Sequence, residues 1–198
     1  NTWGYSPSAS ARYPFEKRWT SILQKNLGSG YFVIPEGLNG RTTAFEDPIE
    51  KNKNGYKHLK TILETHKPID LLIIMLGTND LKSRFAVSAE EIALSAARLV
   101  DYTLHSTSGL DEKHPEVLFI APPMVMDSAP FGYMLEGSVN KSKDFGIHYK
   151  TKARELGVPF LNASDFIVSG PSDGIHWEEE EHAKFATVVA EKIRKLIS

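Results

Sequence analysis

Two short segments of this sequence hold residues whose types and spacing suit acid–base chemistry. Asp173 and His176 stand three apart in Asp173-Gly174-Ile175-His176-Trp177. Across a tight turn, such a histidine can turn Nδ1 to the carboxylate and present Nε2 outward, as the oriented general base of a serine hydrolase does. A surface aspartate beside a helix-capping histidine uses the same spacing, and D-x-x-H is common, so the pair alone does not decide. The second segment is Gly77-Thr78-Asn79-Asp80, directly after an apolar run. An asparagine amide there can donate to an oxyanion, with a backbone N–H near Gly37 beside it. Taken alone, it is also an ordinary strand-ending turn.

Other candidates are weaker. Ser6, Ser8 and Ser10 do not sit in a G-x-S-x-G elbow and read as loop residues. His176 and His182 flank the acidic run Glu178 to Glu181, but a six-residue spacing does not put both rings on one helical face. The run reads as a solvated helix N-terminus, and neither metal nor cofactor is expected. Arg41 could meet an anionic substrate, with an ion pair to Glu36 or Asp47 as the plainer reading. Trp3 and Tyr5 suit either the acyl group or the core. Met124, Met126 and Phe131 offer an apolar wall. His58, His66, His105, His114 and His148 show no pairing pattern.

These residues need a frame. Four apolar runs without polar alternation read as buried parallel strands: Tyr31 to Pro35, Leu71 to Leu76, Val117 to Ala121, and Val158 to Leu161. Helical spacing covers Phe15 to Leu27 with Gly28 as stop, and Tyr56 to His66 before Pro68. Ser88 and Glu91 form a capping box for a helix to about Leu104. Further helices are expected over Ser138 to Leu156, closed by Gly157, and over Glu179 to Ile197. Alternating strands and helices imply an α/β fold in one domain over 1–198. In such sheets ligands bind beyond the carboxyl ends of the strands, where the chemical residues above fall.

Composition narrows the partners. The 198 residues carry 23 basic and 25 acidic side chains, net −2, so no basic field exists for a phosphate backbone. The apolar run 71–76 is too short to span a bilayer. Without cysteine there is no disulfide, thiolate site or cysteine nucleophile. The expected partner is a small molecule, not nucleic acid or membrane, in a cytoplasmic setting; a homo-oligomer stays open.

Together the segments resemble the SGNH, or GDSL-like, hydrolase superfamily. Its first block, G-D-S, continues into residues such as N-T-W-G, and Asn1-Thr2-Trp3-Gly4 matches that continuation. Its second-block glycine matches Gly37, its G-x-N-D block matches Gly77 to Asp80, and its D-x-x-H block matches Asp173 to His176. Glu36-Gly37-Leu38-Asn39-Gly40-Arg41-Thr42-Thr43 looks most like the bacterial arylesterase and acyltransferase branch. The resemblance implies a three-layer flavodoxin-like fold with a five-stranded parallel sheet, strand order 2-1-3-4-5, and a Ser-His-Asp triad. His176 would be the base and Asp173 its orienting partner. Gly37 N–H and the Asn79 side chain would stabilise the oxyanion. The nucleophilic serine and the first strand are expected immediately before Asn1. Substrates would be short-chain or aryl esters, with acyl transfer to alcohols as a second outcome. Carbohydrate O-deacetylation and a non-catalytic binding module lacking its nucleophile are the competing readings.

Overall fold

The computed structural model describes residues 1–127 and 129–197. A short antiparallel hairpin, β1 (Tyr5–Ser6) and β2 (Ala11–Arg12), opens the chain. It leads into α1 (Trp19–Leu27) and, after a long loop, α2 (Gly55–His66), β3 (Leu71–Ile74) and α3 (Ala89–Leu104). Then come β4 (Glu116–Ala121), α4 (Ser138–Lys143), α5 (Phe145–Leu156), β5 (Phe160–Asn162) and α6 (Glu179–Leu196). The main sheet has the order β3-β4-β5 and is parallel, with Ile73 opposite Leu118 and Ile120 opposite Leu161.

The layers follow from the alternation along β4, which is covered on both faces. Val117 and Phe119 point into a core with Leu59 and Leu63 of α2, Ile92 and Ala96 of α3, and Tyr149 of α5. Leu118 and Ile120 point into the opposite core, with Trp19 and Leu23 of α1, Phe185 and Val189 of α6, and Trp177. Local chemistry sets the helix ends. Ser88 accepts from Glu91 N–H while the Glu91 carboxylate accepts from Ser88 N–H, completing the capping box. Asn54 caps α2 by accepting from Lys57 N–H. In α6, Glu179 to Glu181 fill the first turn and Arg194 and Lys195 the last, as the helix dipole favours.

Three expectations are corrected. The helix read over Ser138 to Leu156 is two helices, because Asp144 N–H turns back to Lys141 and Ser142 and leaves the α pattern. The main sheet has three parallel strands among the described residues, where the sequence places four of the expected five within 1–198. The run Tyr31 to Pro35 forms no strand and pairs with none, and Phe32 is 86% exposed. Its polar backbone is held instead by Gln24, whose side chain accepts from Val33 N–H at 2.7 Å and donates to Tyr31 O at 2.9 Å. A cavity of about 1400 Å³ lies beside this run. Residues 31–35 and β3 both line it, with Leu23 and Ile193 from one layer and Leu59 and Leu99 from the other. It forms a slot between the two helical layers beside β3. Among the described residues no helix is long and apolar enough to cross a membrane.

Candidate functional site

The slot reaches the carboxyl end of β3, where the expected chemical residues meet. Asn1, Gly37, Asn79 and His176 all line its wall there. The turn carrying the acid–base pair is closed on itself, since Gly170 N–H donates to His176 O at 2.7 Å and Gly174 N–H to Gly170 O at 2.9 Å. Within it, His176 Nδ1 lies 2.6 Å from Asp173 Oδ2. Asp173 Oδ1 accepts from the backbone N–H groups of Ile175 at 2.9 Å and His176 at 2.8 Å. Burial opposes ionisation of Asp173. The bonds from His176 and Ile175 outweigh it and hold the carboxyl below its ordinary range. An ionised acceptor at Nδ1 fixes the proton on that nitrogen and leaves the Nε2 lone pair facing outward. The Tyr5 ring packs edge-on against the imidazole, with centroids 4.7 Å apart, and restricts its rotation.

Asn1 docks on the same turn. Its Oδ1 accepts from Trp177 N–H at 2.9 Å and its Nδ2 donates to Ile175 O at 3.4 Å. Gly37 presses on the next residues: a Cβ at Gly37 would come 2.7 Å from Thr2 Cβ and Trp3 N, so only glycine allows this approach. Asn79 sits in the short 3-10 turn Thr78–Leu81 after β3, and its Nδ2 donates to Arg41 O at 3.1 Å. One amide proton is thereby spent on orientation and the other is left for a ligand.

The match to the GDSL-like Lipase/Acylhydrolase family model runs over residues 1–184. The chain belongs to this family. It is a carboxylic ester hydrolase of the SGNH type with the α/β fold of that group. Among solved structures it resembles Est24, a carbohydrate acetylesterase from Sinorhizobium meliloti, at 39% identity and a TM-score of 0.94, over 99% of this chain and 95% of that one. The aryl esterase of M. smegmatis matches at 36% identity and 0.94, over 99% and 95%. A carbohydrate acetylesterase family member from Sinorhizobium meliloti matches at 35% and 0.93, over 99% and 94%. No curated protein sequence matches the chain.

The hydrolase's apolar wall differs from the one expected. Phe131 lines the cavity, as do Trp3 and Tyr5. Met124 and Met126 do not line it: they are 38% and 45% exposed. Their backbone explains this. Met124 N–H donates to Ser164 Oγ and Met124 O accepts from Ser169, while Met126 N–H donates to Gly174 O. The segment is thus pinned beside β5 and the Asp173 turn, to one side of the cavity. Pro122, Pro123, Met134, Leu135 and Ile175 take their place in the wall. Met134 and Leu135 are brought in by the 129–135 turn, in which both donate N–H to Phe131 O.

Arg41 also departs from expectation. Glu36 is taken by His66 at 2.7 Å, and Asp47 by Arg84 at 2.6 Å and Lys82 at 3.4 Å. Neither pairs with Arg41, which lines the cavity. His182 is a core residue, fully buried, with Nδ1 accepting from Trp19 N–H at 3.2 Å. Burial drives its pKa down to about 3, so it stays neutral.

The sequence reading missed the support beneath Asn79. Asp80 is 1% exposed and accepts from Thr43 N–H at 3.0 Å and Thr43 Oγ1 at 2.6 Å. Thr43 Oγ1 lies 2.8 Å from Ser95 Oγ on α3, which also accepts from Ala44 N–H at 3.1 Å. Adjacent residues therefore clamp the loop twice, Asn79 at residue 41 and Asp80 at residue 43.

Proposed function

We propose that the protein hydrolyses small aryl or short-chain acyl esters through an acyl-enzyme on a serine immediately preceding Asn1. His176 Nε2 takes the serine proton as Oγ attacks the ester carbonyl, and Asp173 stabilises the imidazolium. Gly37 N–H and the free Asn79 amide proton receive the oxyanion, acting more strongly on the tetrahedral oxygen than on the ground-state carbonyl. His176 then returns the proton to the leaving alcohol, and an activated water releases the acid. An alcohol in place of that water gives acyl transfer. The carrying observation is the 2.6 Å His176–Asp173 pair on the wall that Gly37 and Asn79 share. The wall of Pro122, Pro123, Phe131, Met134 and Leu135 suits a short acyl or aryl group.

Carbohydrate deacetylation is the second reading. It is favoured by the polar rim of Glu36, Asn39, Arg41 and His66 along the same cavity and by the likeness to Est24, whose name gives that activity.

The test uses the full-length protein. A fluorophosphonate should label one serine per chain, on a tryptic peptide that continues through Asn1 to Arg12, and His176→Ala should abolish labelling. Asn79→Ala should cut kcat on phenyl acetate by about 10²–10³ with little change in KM. Faster turnover of acetylated sugars than of phenyl acetate would favour the second reading. A protein that neither labels nor hydrolyses any ester would be a binding module.

A further inference from the structure

Arg41 lies at the oxyanion end of the cavity with a fixed backbone and an unspent charge. Its N–H donates to Leu38 O at 3.2 Å, and its carbonyl accepts from the Asn79 amide at 3.1 Å. The Cα therefore stands one hydrogen bond from a proposed oxyanion donor. Its side chain lines the cavity together with Gly37, Asn79 and His176.

The carboxylates around it are committed elsewhere. Glu36 bonds His66 at 2.7 Å, and Glu46 bonds Lys57 and Asn54 at 2.7 and 2.8 Å. Asp47 and Glu50 share Lys82 and Arg84, with contacts of 2.6 to 3.4 Å. Asp80 is occupied by Thr43. Among the described residues Arg41 forms no ion pair, and its buried Nε has no acceptor. Its terminal nitrogens make no hydrogen bond either, but they are not enclosed, so they are the donors a ligand can reach. Burial pulls the guanidinium pKa down, and Glu36 offsets this only in part. A guanidinium presents a planar fork matched to a carboxylate.

We propose that Arg41 is the specificity residue of the site and selects esters that carry a carboxylate group. The proposal rests on the ester-hydrolase reading and names its substrate class. The carboxylate settles on the Arg41 fork while the ester carbonyl sits between Gly37 N–H and Asn79. The Asn79 amide bonded to the Arg41 carbonyl anchors the root of this side chain beside the oxyanion site.

The experiment compares phenyl acetate with the 3- and 4-acetoxybenzoates on the full-length protein and its Arg41→Gln variant. The wild type should prefer at least one acetoxybenzoate in kcat/KM by roughly tenfold or more, the range for hydrogen bonds to a charged group. Raising the ionic strength should narrow that preference. In Arg41→Gln the ratio of charged to neutral ester should fall to near one, while thermal unfolding confirms the fold. No preference in the wild type, or a parallel loss on both kinds of ester, would overturn the assignment. Binding separates this outcome from failure of the hydrolase reading. By calorimetry, 3- or 4-acetamidobenzoate should bind the wild type more tightly than acetanilide, and Arg41→Gln should lose that difference, whether or not turnover occurs. Equal binding of the charged and neutral anilides to the wild type would also overturn it.

Discussion

At residue scale, the support for Asn79 is a buried acid. Burial pushes the Asp80 carboxyl up to about 6 from 3.8, against the bonds from Thr43 and the charge of Lys82. Between those two values the folded chain holds the proton that the unfolded chain has released, so the unfolded state binds fewer protons. Stability then falls as pH rises through that window. A rise of this size corresponds to about 3 kcal/mol in total. Other carboxylates act the other way, among them Asp47, held below its ordinary range by Arg84, Lys82 and backbone N–H groups. The comparison with Asp80→Asn isolates one group. Urea unfolding should show the wild type losing ground to Asp80→Asn as pH rises from about 4 to about 6, with a constant difference above about 7. A difference that does not change with pH would mean that Asp80 is ionised throughout. This network could not be read from the sequence, because Thr43 is 37 residues from Asp80 and 52 from Ser95. The Asp173–His176 pair could be, because three residues and one turn hold all its geometry.

At element scale, the junction after β3 depends on one glycine. Gly77 has φ +134°, and a Cβ there would overlap the Tyr149 hydroxyl and lie 3.1 Å from Ile92 Cγ2. That hydroxyl donates to Leu76 O at 2.6 Å from a fully buried ring stacked near Phe119 and Phe145. Gly77→Ala should therefore incur backbone strain of about 1–3 kcal/mol and also displace Tyr149. A drop of several degrees in Tm is expected, since 1 kcal/mol moves a domain of this size by about 2–4 °C. In a Tyr149→Phe background, where the colliding oxygen is gone, the same change should cost less. Equal costs in both backgrounds would assign the whole effect to the backbone. Elements ruled by local signals were legible in the sequence: the Ser88–Glu91 box, the stops at Gly28 and Gly157, and the continuous apolar run of β4. The break at Asp144 was not. Apolar periodicity runs through it, while Ser142 Oγ ties the last turn of α4 to Val125 N–H and Val139 O.

For the whole molecule, the architecture turns on the slot between residues 31–35 and β3. Its walls come from both helical layers, with Trp19 and Ile193 on one side and Leu59 and Leu99 on the other. Among the described residues β3 is an edge strand and the segment 31–35 beside it joins no ladder, which leaves backbone groups of a kind that proteins rarely leave unpaired. Gln24 meets this need at only two atoms of residues 31–33. The apolar pattern of Tyr31 to Pro35 is that of an interior strand, and the exposure of Phe32 and Ile34 conflicts with it. A strand in the slot would pair with both walls and resolve the conflict, as the proposed position of the serine requires. Hydrogen exchange on the full-length protein tests this directly. The backbone amides of Tyr31 to Ile34 that face the slot should exchange as slowly as those of Leu118 to Ile120, which lie in the centre of the sheet, because both would open only with global unfolding. Amides of Leu71 to Ile74 facing the slot should be protected to the same degree. Fast exchange at Tyr31 to Ile34, with Leu118 to Ile120 still protected, would mean that no strand fills the slot and that the serine must reach His176 by another route.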